Sequence, residues 1–229
     1  MSHSVHRLHM ACVNYLDIRI DVYAYLVLAG SEVLLIDTGV GEGNTHIERR
    51  FAPDRTPIGE ELARFGMKPV DVNVIVNSHL HFDHCGNNHM FPNAEIFVQS
   101  DELSIARTSG YTVRKWFDYE GARLNSVSGD MEISAGIRLI QTPGHTPGHQ
   151  SVLIETGEGK VLVAAQAAYT AEEFRRGGDP EDQAHEGLEE PYLQSISRLK
   201  SMAPQEVYFS HDDAAVTAAS VTDASFRLG

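Results

Sequence analysis

"VIVNSHLHFDHCGNN", residues 74–88, places His79, His81, Asp83 and His84 within six positions, directly after an apolar, β-rich run. A lone histidine is most simply a solvated or packed side chain, but four ligand-type residues at this spacing point to a metal. His79 and His81 lie two apart just past the strand predicted over residues 72–76, so in extended backbone they face the same side and can share one ion. Asp83 and His84 follow as the chain turns. They add a carboxylate oxygen and an imidazole, donors that zinc, iron and manganese accept. Gly86, Asn87 and Asn88 then supply turn chemistry.

The rest of the chain supports that site. Short β-rich runs predict strands over residues 22–28, 33–36, 72–76, 95–98, 137–140, 151–154, 161–164 and 206–209. Helical spacing predicts helices over 57–65, with Pro57 in the first turn, over 101–107 after a Ser100 cap, and over 189–202. Early strands alternate with turns and later ones with helices, so an α/β architecture with mixed sheets covered by helices is expected. Polar residues directly follow three of the strands: "IRLIQTPGH" ends at His145, "VLVAAQ" at Gln166 and "EVYFSH" at His211. Ligands gather at the carboxyl ends of strands, so these residues are expected to join the 79–84 run in one cavity. Residues 108–128 and 172–186 carry little periodicity, and loops of that length serve as lids or substrate walls. In the first of them, Trp116 and Phe117 either cover an acyl-chain pocket or anchor a minor core.

Composition bounds the alternatives. A chain of 229 residues, 42% hydrophobic, can bury a core as a single domain over 1–229. Eighteen Lys+Arg against 32 Asp+Glu give a net charge of -14, which argues against nucleic-acid and membrane partners. The first residues lack the pattern of a signal peptide and no apolar run reaches the ~18 residues needed to span a bilayer, so a cytoplasmic location is expected. Cys12 and Cys85 are too few for a disulfide framework and are expected as thiols, Cys85 as a small buried side chain. His3, His6 and His9 read as surface histidines, and His46, His89 and His185 carry no assigned role.

The run His79-Leu80-His81-Phe82-Asp83-His84, followed by His145 and His211, resembles the metallo-β-lactamase superfamily from about Tyr25 to Asp212, and the Asp37-Thr38-Gly39 turn matches as well. The resemblance implies a four-layer αββα sandwich with two metals at its edge. Within the superfamily, "TPGHTPGHQS" and "AAYT" are most similar to the N-acyl homoserine lactonase family. That likeness implies His79, His81 and His145 on one ion, Asp83, His84 and His211 on the other, His149 behind the ligands and Tyr169 at the substrate carbonyl. Where the family pattern carries a bridging aspartate, this chain has Gln166, whose amide offers one neutral oxygen instead of two anionic ones. Two zinc ions are implied, or one where Gln166 leaves the second weakly held; iron, manganese and cobalt suit the same donors.

The implied reaction is hydrolysis of an N-acyl homoserine lactone, a quorum-quenching activity, by a metal-bound hydroxide attacking the ring carbonyl. Tyr169 would steady the carbonyl oxygen, and Asp83 would pass a proton to the leaving alkoxide. Two alternatives stay open: a metallo-hydrolase of another ester or phosphodiester, and a non-catalytic metal-stabilised binding module marked by Gln166. A thioesterase of the same superfamily is disfavoured because only eighteen residues follow His211.

Overall fold

The computed structural model describes residues 3–16, 18–108 and 110–217. The chain divides into two compact units, residues 2–128 and 129–229, each built on one sheet.

In the first unit, β1 (His3–Tyr15) and β2 (Ile18–Ala29) form a long antiparallel hairpin with a register shift between His9 and Ala11. The β2 sequence is apolar on both faces from Val22 to Val27 because the strand is central, with β1 on one side and β3 (Glu32–Ile36) on the other. The chain then leaves β3 through α1 (Thr45–Phe51), adds the short edge strand β4 (Asp54–Arg55) antiparallel to β1, and continues into α2 (Ile58–Ala63). The Asn44 side chain opens α1 by accepting the amides of His46 and Ile47, and Ala52 closes it in a left-handed conformation. Return to the sheet is parallel, through β5 (Val74–Val76), β6 (Glu95–Gln99), α3 (Ser100–Ala106) and β7 (Leu124–Val127). The final order is β4-β1-β2-β3-β5-β6-β7.

The second unit starts with a meander, β8 (Met131–Ser134), β9 (Ile137–Gln141), β10 (Gln150–Thr156) and β11 (Gly159–Ala165), each strand antiparallel to the next. Three helices follow, α4 (Ala171–Arg176), α5 (Pro180–Gln183) and α6 (Glu189–Ser201). Their crossover lets β12 (Glu206–Phe209) pair parallel to β11, with β13 (Val216–Thr217) beyond it. On α6 the buried residues Tyr192, Ser195, Ile196 and Leu199 form one helical stripe, in which Tyr192, Ile196 and Leu199 pack with Leu153, Leu162 and Phe209 of the sheet. Each such aliphatic side chain contributes about 1.5–3 kcal/mol by leaving water.

The predicted strands and three predicted helices are present, with informative shifts. The strand predicted over 72–76 begins only at Val74, because Pro69–Asp71 forms a 3-10 turn that Pro69 favours. Pro57 sits at the cap of α2 and not inside it, and Ser100 is the first residue of α3, preceded by Gln99 at the cap. The segment 172–186 contains most of α4 and all of α5, too short to show a periodic stripe. Trp116 and Phe117 are buried in the first unit, and the Trp116 indole closes over Gly41, where an added Cβ would approach it to 2.6 Å. They are core anchors.

Candidate metal centre

In the first unit the site begins at the carboxyl ends of two parallel neighbours, β3 and β5. Directly after β3, Asp37 adopts a left-handed backbone (φ 61°) that is strained for a non-glycine residue, and strain of this kind persists where surrounding contacts over-determine it. Those contacts are at hand. Asp37 Oδ1 accepts the Ser78 amide at 2.7 Å, and Oδ2 accepts both the Ser78 hydroxyl at 2.7 Å and His84 Nδ1–H at 2.8 Å. Since the Ser78 hydroxyl donates to Asp37, its oxygen accepts from His79 Nδ1–H at 3.1 Å. Both rings therefore carry the proton on Nδ1 and turn an unprotonated Nε2 away, the arrangement that orients metal-binding histidines.

The Nε2 atoms face partners of ligand type. His79 Nε2 lies 3.0 Å from His81 Nδ1, and His84 Nε2 lies 3.7 Å from Asp83 Oδ2. Two donors about 2.0–2.1 Å from one tetrahedral ion stand roughly 3.3 Å apart, so these pairs bracket the separation a zinc-sized ion requires. The His79 and His84 ring centroids are 3.9 Å apart, which brings the two pairs side by side. Three imidazoles and a carboxylate in this order form a donor set that fits a borderline divalent cation.

The turn that carries them is held from every side within the unit. Thr38 N–H and Asn77 Nδ2 donate to the His84 carbonyl at 2.7 and 3.2 Å, and Gly86 N–H donates to the Gly39 carbonyl at 2.9 Å. Glu102 of α3, fully buried, accepts the Leu80 amide at 2.8 Å and the Tyr111 hydroxyl at 2.5 Å, while the Tyr111 ring packs against His81 with centroids 4.9 Å apart. Cys85 is fully buried, and burial pushes its thiol well above the usual range.

The second unit presents its polar residues at strand ends too. His145 lies between β9 and β10, Gln166 and Tyr169 follow β11, and His211 follows β12. Ala165, the last residue of β11, is left-handed (φ 54°) and turns the chain sharply into Gln166. His149 is buried, and its Nε2 accepts the Gln166 amide at 3.2 Å, so its proton is on Nδ1 and donates to Thr142 Oγ1 at 2.8 Å. Thr142 then donates to Ser151 Oγ at 3.0 Å and Ser151 to the Ala164 carbonyl at 3.1 Å. With both ring nitrogens engaged, His149 stands behind Gln166 and fixes its backbone. Tyr169, half-buried, stacks on His211 with ring centroids 4.8 Å apart and planes at 21°.

The sequence reading missed the aromatic column beside the metal turn. Phe82 stacks on Phe51 at 4.3 Å, and Phe51 on Tyr15 at 6.4 Å, running toward the β1–β2 hairpin tip. A cavity of about 510 Å³ opens there, lined by Asn14, Tyr15, Leu16, Arg50 and Phe51. The one sequence signal was Phe82 itself, an aromatic set between two ligand-type residues.

Comparison with known proteins agrees with this geometry. The model of the Metallo-beta-lactamase superfamily matches residues 18–211. An N-acyl homoserine lactonase from Bacillus sp is 36% identical over 208 residues, covering 83% of this chain and 81% of the relative. One from Bacillus cereus is 35% identical over 212 residues, covering 85% and 82%. Among solved structures, a quorum-quenching N-acyl homoserine lactone hydrolase superimposes with a TM-score of 0.79 at 31% identity over 93% of this chain and 94% of the other. Another, with the product N-hexanoyl-L-homoserine at its catalytic metal centre, gives 0.78 at 30% identity over 99% and 96%. By domain match, relatives and fold, the chain belongs to the metallo-beta-lactamase superfamily.

Proposed function

We propose that the protein is a metal-dependent lactonase that opens the ring of an N-acyl homoserine lactone, its two units acting as one hydrolase domain. His79 and His81 with His145 would hold one divalent ion, and Asp83 and His84 with His211 the other. Gln166 follows β11, between His145 and His211 in sequence order, and would contribute its amide oxygen. Zinc suits the donors, as do iron, manganese and cobalt. When bound, such ions supply Lewis acidity and a water acidified toward neutral pH.

The remaining work falls to this chain's own residues. The Tyr169 hydroxyl donates to the carbonyl oxygen as negative charge builds on it, a role that requires a donor fixed before the reaction. Its ring is fixed by the stack on His211, and this contact is the observation that carries the reading, because it ties an acyl-type oxyanion donor to a ligand-type histidine. Asp83 turns Oδ2 toward His84 Nε2, and its carboxylate would take the proton released by the attacking water and pass it to the ring oxygen as the ester C–O bond breaks. The Tyr15–Phe51–Phe82 column provides an apolar wall for the acyl chain. The lactonases among its relatives support the substrate class.

The test is proton release by the zinc-loaded protein on N-hexanoyl homoserine lactone, with a chelated control. Chelator-sensitive turnover is expected. Its absence in a fully loaded protein would overturn the lactonase reading and leave another ester, a phosphodiester or a binding role.

A further inference from the structure

A buried carboxylate in the second unit has no part in the mechanism above. Glu173 is 5% exposed, the third residue of α4, and its surroundings push its carboxyl above the usual range, chiefly through burial. Removing a carboxylate from water is unfavourable, and an apolar side chain of similar size generally serves stability as well or better. What the carboxylate gives instead is geometry. Glu173 Oε2 accepts the backbone amide of Tyr169 at 2.8 Å, and Oε1 accepts the hydroxyl of Tyr192, itself fully buried on α6.

Tyr192 reaches a second loop of the site. It packs so closely on Gly144, the neighbour of His145, that a Cβ there would meet its backbone and side chain at 2.7–2.8 Å. The segment after Tyr169 is anchored as well: Thr170 Oγ1 accepts the Glu173 amide at 3.1 Å and Asp212 Oδ2, beside His211, accepts the Ala171 amide at 2.7 Å. The Tyr169, His145 and His211 loops are thus tied to one buried cluster. The first unit independently contains the same trio, in which Glu102, third in α3, takes a tyrosine hydroxyl and the amide of Leu80 between two ligand-type histidines.

We propose that Glu173 and Tyr192 are positioning residues that set the Tyr169 hydroxyl for catalysis, Glu173 acting only through its hold on the Tyr169 backbone. The proposal rests on the lactonase reading, in which Tyr169 faces the substrate carbonyl.

The experiment compares wild type, Tyr169→Phe, Glu173→Gln, Tyr192→Phe and the Tyr169→Phe/Glu173→Gln double variant, all metal-loaded, on N-hexanoyl homoserine lactone. Tyr169→Phe should lower kcat about 100-fold. Glu173→Gln and Tyr192→Phe should each lower kcat about tenfold with KM and metal content unchanged. On the Tyr169→Phe background, Glu173→Gln should change kcat by less than about twofold. Equal losses from Glu173→Gln on both backgrounds, or no loss on either, would overturn the proposal while leaving the lactonase reading intact. Full activity in Tyr169→Phe would overturn the proposal and the role given to the Tyr169 hydroxyl while leaving the lactonase activity standing, and no turnover by the metal-loaded wild type would overturn the lactonase reading itself. Tyr192→Phe keeps the carboxylate and carries the same comparison if Glu173→Gln fails to fold. Amide hydrogen exchange at Tyr169, read by NMR, is independent of substrate: it should quicken in Glu173→Gln, and unchanged protection would overturn the proposal.

Discussion

Asp37 Oδ2 accepts a hydrogen bond from His84 Nδ1–H at 2.8 Å, joining residues 47 positions apart, and through Ser78 the same carboxylate governs the proton on His79. One buried carboxylate thus sets the tautomer of two ligand-type imidazoles.

Asp37→Asn replaces an anionic acceptor with a neutral amide that can present its NH2 to the ring. Metal affinity, measured by competition with a chromophoric chelator, should fall about 10–100-fold. An unchanged affinity would show that the ring orientation is set elsewhere.

Gln166→Asp restores a carboxylate at the end of β11, where the His149 Nε2 contact to the backbone amide is unaffected by the side chain. A full negative charge next to a divalent ion should raise the affinity for the weaker-held ion by about tenfold or more. Titration followed by elemental analysis should then show two ions held at chelator concentrations that strip one from the natural protein. Equal stoichiometry in the two proteins would rule out Gln166 as the weak point of the site.

Gly86→Ala inserts a Cβ that would fall 1.8 Å from the Gly41 backbone nitrogen, where the metal turn crosses the loop after β3. Neither backbone can yield without disturbing the Gly86 N–H to Gly39 carbonyl bond, so the loss of stability should be about 3 kcal/mol or more. Chemical denaturation would measure it, and a midpoint equal to that of the natural protein would contradict the close approach.

Thiol labelling should distinguish the two cysteines. Cys12 is partly exposed, whereas Cys85 is buried and its thiol is held protonated by burial. A maleimide should modify Cys12 in the native protein and Cys85 only after denaturation. Rapid native labelling of Cys85, located by peptide mass, would mean that the metal turn opens readily.

Much of the site could be read along the chain because its ligands are local or marked by a strand. The 79–84 run is contiguous, and His145, Gln166 and His211 each follow an apolar run whose end is visible in the residue order. The middle of β2 and α6 were legible because a sustained apolar pattern reports which face is buried, whereas β1, the longest strand, was not, because its histidines, Arg7 and Asn14 interrupt any apolar run. Among the short elements, β4, α1, α4 and α5 were not legible, because one turn of helix or a pair of bridged residues has no period to detect, whereas the equally short α2 and α3 were marked by Pro57 and Ser100 at their starts.

Residue order alone settles which donors this protein possesses and that a glutamine stands among them. Only the folded chain decides how they are held: that Asp37 steers His84, that His149 spends both nitrogens behind Gln166, that Trp116 and Phe117 fill the core, and that Phe82, Phe51 and Tyr15 form a column. The reason is physical. Ligand identity is a property of single side chains, whereas tautomer, burial and stacking come from partners tens of residues away, brought together by sheet pairing that no local pattern encodes.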